Sequence, residues 1–63
     1  MLNNLVHTKR KAVGITQEDL AVAIGVTRQT IISIEKGNYV PSVLLALKIA
    51  DFFKVPVEEV FYI

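Results

Sequence analysis

Near the middle of the chain, Gln29, Ile32, Ser33 and Lys36 combine types and spacing that suit contact with the edges of flat, polar rings. On a helix advancing about 100° per residue, Ile31 and Ile34 define an inward direction. Gln29, Ser33 and Lys36 then point almost the opposite way, and Ile32 lies on the outward side with them. Arg28 and Glu35 fall on the flanks nearer the core. A Gln amide can bond an adenine edge in bidentate fashion, Ser can bond several groups, and Lys can reach guanine or a phosphate. An outward Ile32 suits a thymine methyl, and is equally consistent with a scattered surface apolar residue.

No catalytic arrangement competes with this one. The chain has no cysteine, which excludes a disulfide framework and any thiolate metal site. Its single histidine, His7, cannot build a metal or catalytic cluster alone and reads as a solvated or capping side chain. Glu58 and Glu59 are adjacent, so on a helix they diverge and suit a solvated first turn rather than paired acid chemistry. There is no glycine-rich phosphate loop. Neither enzymatic activity, cofactor, metal nor small-molecule ligand is expected.

The elements that must position the outward face lie between Thr16 and Lys36. Thr16 is a good N-cap, and Asp19 three residues on completes a capping-box pattern. Leu20, Ala21 and Ile24 share one helical face. Gly25 stops that helix where the backbone needs positive φ. Val26 seals the turn and Thr27 caps the next helix, while small Ala21 lets the two helices cross closely. This is the order of parts in a helix-turn-helix, whose second helix enters the major groove of DNA.

The stretch TQEDLAVAIGVTRQTIISIEKGNYVPS also resembles the Cro/CI-type (lambda-repressor-like, or XRE) helix-turn-helix family. The resemblance rests on Gln17, Ala21, Gly25, the run Thr27 to Ile31, Ile34 to Gly37, and Pro41-Ser42, and extends from about Leu5 to Phe61. It implies an all-α, compact five-helix domain that binds operator DNA as a dimer. It further implies a structural ion pair between Arg10 and Glu35, and a loop Gly37-Asn38-Tyr39 that follows the DNA backbone. On this basis Arg28, Gln29, Ile32 and Ser33 are the expected base contacts. Gln17, Thr27, Lys36 and Asn38 are the expected phosphate contacts, and Tyr39 is expected to pack beneath its loop.

Length and composition set the rest. The chain has 63 residues, enough for one domain, taken as 1–63. Lys9, Arg10 and Lys11 interrupt the N-terminal apolar residues, and no stretch approaches the roughly 20 apolar residues of a membrane span. A cytoplasmic protein without membrane contact is expected. The formal charge of +1 is weak for a nucleic-acid binder. Its distribution is more telling: the residues up to Val40 carry the basic excess, and those from Pro41 onward the acidic one.

Hydrophobic residues make up 52% of the sequence, high for a chain with so much surface to cover. A first helix is expected from about Asn3 to Val13, capped by Asn3 or Asn4 and ended by Gly14. The fourth, Val43 to about Phe53 with Ser42 as N-cap, is apolar nearly all round and so buried on more than one side. A short fifth helix after Pro56 ends in the apolar tail Phe61-Tyr62-Ile63. That tail packs on the core, or pairs as a β-strand with Met1-Leu2 or across a dimer axis. Leu44, Phe52, Phe61, Tyr62 and Ile63 are the candidate homodimer contacts. An antitoxin-like regulator holding another protein through this apolar half is the alternative.

Overall fold

The computed structural model of the protein describes all 63 residues. The chain runs through β1 (Asn3–Asn4), α1 (Val6–Val13), α2 (Gln17–Ile24), α3 (Arg28–Glu35), α4 (Val43–Phe53), a 3-10 turn (Val57–Glu59) and β2 (Phe61–Tyr62). Local chemistry sets each helix start. Thr16 accepts from the Asp19 amide and Asp19 accepts from the Thr16 amide, a complete capping box. Thr27 accepts from the Thr30 amide at 3.2 Å, and Ser42 from the Leu45 amide at 3.1 Å. Gly25, at φ 75°, closes α2 and hands the chain to α3.

The core lies where these helices meet. Val6, Leu20, Ala21, Ile24, Ile31, Ile34, Ile49, Ala50, Val60 and Phe61 form one buried cluster. Ala21 is buried where α2 and α3 pack together, and its single methyl leaves room for the crossing. One charged residue, Arg10, is enclosed with them.

Both chain ends differ from expectation. The first helix begins at Val6, because Asn3 and Asn4 pair antiparallel with Tyr62 and Phe61 respectively. Asn4 still serves α1 from one step further out: its Oδ1 accepts from the Val6 amide at 3.1 Å. The fifth helix shrinks to a single 3-10 turn, so the domain has four α-helices and a two-stranded sheet. The chain must turn Val60 and Phe61 into the core immediately after Glu59, which leaves no length for an α-helix. α4 ends on Lys54 in the left-handed conformation, φ 59°, where glycine would be the unstrained choice.

Candidate nucleic-acid interface

α3 buries Ile31 and Ile34 and presents its opposite side to solvent. Arg28, Gln29 and Lys36 are exposed, and Ile32 and Ser33 are half-buried. Gln29 Nε2 rests 3.4 Å from Ser33 Oγ, a long hydrogen bond that a better partner could replace. The loop after α3 is fixed by its own backbone. Gly37, at φ 79°, donates to the Ile34 carbonyl at 2.9 Å, and Asn38 donates to the Ser33 carbonyl at 2.9 Å. Asn38 therefore stands exposed beside the same face. A shallow groove is lined by Thr27, Gln29, Thr30, Ser33, Asn38 and Tyr39. Tyr39 does not pack beneath the loop; it is 47% exposed and lines the groove.

Behind this face, a polar cluster locks α3 to α1. Arg10 grips both oxygens of Glu35, Nε donating to Oε2 at 2.8 Å and Nη2 to Oε1 at 3.1 Å. Its Nη1 donates to the Ile15 carbonyl at 3.0 Å. Gln17 Nε2 donates to Glu35 Oε1 at 3.2 Å, and His7 Nδ1 lies 3.4 Å from the same oxygen. The two charged side chains are only 6% and 7% exposed. Burial alone would push the Glu35 carboxyl up. The hydrogen bonds from Arg10 and Gln17, with the Arg10 charge, outweigh burial and hold it below the usual range. Arg10 is shifted up, first by its hydrogen bond to Glu35. No buried side-chain polar atom in the protein lacks a partner.

Comparison with known proteins agrees with this geometry. A helix-turn-helix family model matches residues 6–60. This chain belongs to the Cro/CI-type helix-turn-helix family. It is 50% identical over 62 residues to an HTH-type transcriptional regulator of Bacillus subtilis, YgzD, covering 98% of this chain and 94% of that one. It is 53% identical over 60 residues to an HTH-type transcriptional regulator of Methanocaldococcus jannaschii, covering 95% and 91%. Its fold is similar to the restriction-modification controller protein C.AhdI from Aeromonas hydrophila, with a TM-score of 0.79 and 30% identity over 86% of this chain and 78% of that one. No helix is long and apolar enough to cross a membrane.

In this helix-turn-helix protein the apolar tail packs on the core and pairs as a strand, as two of the expected arrangements have it, but its partner is Asn3–Asn4 rather than Met1-Leu2. Phe61 is 8% exposed and belongs to the domain's own core, so it is withdrawn from the dimer surface. Strand periodicity explains this: pairing with Asn4 turns Phe61 inward and its neighbour Tyr62 outward. Phe52 is half-buried, its ring edge-on to Phe53 with centroids 5.1 Å apart. Leu44 remains exposed, together with Val43 and Leu47 on the same flank of α4, and Tyr62 and Ile63 are exposed as well. Two residues that sequence reasoning missed are Asn4 and His7. Asn4 Nδ2 donates to the Ile34 carbonyl at 2.9 Å, anchoring the end of α3 across 30 positions of sequence. Nothing local could have signalled that contact.

Proposed function

We propose that this chain is a DNA-binding transcriptional repressor, acting in the cytoplasm as a homodimer on a two-fold operator, with α3 in the major groove. The observation that carries this reading is the outward face of Gln29, Ile32 and Ser33, continued by Lys36 at the helix end and flanked by exposed Arg28, on a helix whose inner side is committed to the core. Gln29 is the principal base reader, suited to adenine N6 and N7. Ile32 and Ser33 tune neighbouring pairs, and Arg28 reaches a base or phosphate at the flank. Gln17, Thr27, Lys36 and Asn38 hold phosphates, positioning the domain without reading sequence. Residues 1–63 act as one binding unit, and the activity is recognition without catalysis or cofactor. The names of the Bacillus and Methanocaldococcus relatives support a regulatory role.

The dimer is proposed to form through the exposed flank of α4, Val43, Leu44 and Leu47, with Tyr62 and Ile63 as further contacts. Self-complementary apolar surface is the simplest outlet for apolar residues that the core does not use. The same exposed flank also fits a second reading, an antitoxin-like regulator that holds a different protein there. Sedimentation equilibrium separates the two: a stable dimer of this chain alone supports the first.

The test of DNA recognition is selection of bound sequences from a random duplex pool. Enrichment of a two-fold site with half-sites about one helical turn apart is expected. Failure to enrich any sequence would overturn the reading.

A further inference from the structure

We infer that a proton taken up by His7 strengthens the hold of this domain on the DNA backbone, so that affinity for DNA rises as pH falls. This rests on the DNA-binding reading above and concerns a cleft beside α3 that, of the proposed base contacts, only Arg28 borders. His7 and Lys11 lie one helical turn apart on α1 and line the cleft together with Gln17 and Glu18 from α2 and Arg28 from α3. The charged groups around His7 are Arg10 and Lys11 on its own helix, Glu18 on α2, and Arg28 and Glu35 on α3. With Arg10 and Glu35 paired, Lys11 and Arg28 outnumber Glu18, so the cleft is slightly cationic, and it opens on the side where α2 and α3 begin.

The hydrogen-bond roles of His7 follow from its neighbours. Arg10 Nη2 stands 3.0 Å from His7 Nδ1. A guanidinium can only donate, so the neutral ring accepts at Nδ1 and carries its proton on Nε2. Adding a proton gives Nδ1 a hydrogen that cannot face Arg10. The ring must then turn either to Glu35 Oε1, 3.4 Å away, or outward into the cleft. Glu35 Oε1 already accepts from Arg10 Nη2 and from Gln17 Nε2. A third donor there competes with Gln17, the weaker of the two holders, and frees its amide at the start of α2. A ring turned outward instead places its own cationic N–H in the cleft.

Either movement adds one positive charge beside Lys11 and Arg28 and leaves one more donor available to an anion. The anion this suits is a backbone phosphodiester, because the cleft adjoins the recognition helix and Gln17 stands at its edge. Histidine as a residue type changes charge across the range where no other unperturbed side chain does. His7 therefore links DNA affinity to proton concentration without touching a base.

The test measures binding of the whole protein to a mixed-sequence duplex of about two helical turns, at about pH 5.5 and about pH 8, over a series of salt concentrations. The wild-type protein is expected to bind at least about 5-fold more tightly at the lower pH. Its salt slope should steepen by about one per bound subunit. His7→Gln should lose both changes, and His7→Lys should bind at the higher pH as the wild type does at the lower. An unchanged pH dependence in His7→Gln, or none in the wild type while binding persists, would overturn the inference. If no duplex binds at either pH, the DNA-binding reading itself fails. The guanidinium signals of Arg10, which loses its contact to His7 Nδ1 in either movement, then still decide the linkage. They should move between the two pH values in the wild type and stay fixed in His7→Gln, and immobility in both would overturn it.

Discussion

Arg10 holds Glu35 by both carboxylate oxygens, at 2.8 and 3.1 Å, and so fastens the C-terminal end of α3 to α1. The pair is enclosed, and each member leaves an uncompensated charge if the other is removed. Arg10→Met or Glu35→Leu alone should cost about 3–5 kcal/mol, whereas the double change should be far milder. Urea unfolding of the four proteins gives the coupling directly. An Arg10→Met midpoint equal to wild type would contradict the enclosed pair.

The same carboxylate sets the response to acid. Its pKa in the folded state lies below the ordinary value of 4.5, so its stabilising effect is complete above that value and is lost as pH falls through the depressed one. Asp19 in the capping box acts in the same direction, held down chiefly by the Thr16 backbone amide. Stability should be nearly flat from neutrality to about pH 5 and fall below it. In Glu35→Gln the curve should start lower and slope less in the acid range, as read from denaturation midpoints at stepped pH.

For recognition, Gln29→Ala should cost about 1–3 kcal/mol per half-site and relax preference at one base pair in each. Asn38→Ala should instead weaken every sequence about equally. Binding to the selected operator and its single-base variants separates these patterns. An unchanged preference in Gln29→Ala would reassign the reading face.

Leu44→Glu places a charge in the centre of the proposed dimer flank without touching the core, since Leu44 is 65% exposed. Sedimentation should shift toward monomer while the helical circular dichroism is retained. Operator affinity should fall with dimerisation. A dimer indifferent to this change must use another surface.

Lys54 offers a change in the opposite direction. Its φ of 59° strains any residue with a Cβ, and both amide hydrogen bonds at this helix end are made by the backbone. Lys54→Gly should stabilise the fold by about 0.5–1 kcal/mol, seen as a raised urea midpoint with unchanged slope.

What was readable in the sequence was what is decided within a few residues. The capping box at Thr16, the stop at Gly25, the cap at Thr27 and the bounds of α4 all follow from contacts spanning five positions or fewer. The inward sets Leu20, Ala21, Ile24 and Ile31, Ile34 follow from helical period alone. The features hidden from sequence join distant segments. The apolar tail signalled docking on the core or a strand, but two-residue strands are too short to show alternation, so neither the partner Asn3–Asn4 nor the inward turn of Phe61 could be read. The Gln17 and His7 contacts to Glu35 span 18 and 28 positions and depend on how three helices pack. Tyr39 was misplaced because an aromatic side chain after a glycine turn fits either side of its loop.

The pairing of β1 with β2 makes the order of synthesis matter. The Leu5 amide donates to the Val60 carbonyl at 2.8 Å, so the segment leading into the first helix is held by a residue made after all four helices. While a ribosome still encloses residues 57–62, the nascent chain lacks buried Val60 and Phe61, and the core above α4 stays open. Helices α2 and α3 can meet earlier, since their contacts are close in sequence, but the strand that closes the fold is made after them. Closure of this domain is therefore a late, long-range event in its folding, and a chain cut before Val57 should be open to protease while the domain that keeps β2 resists.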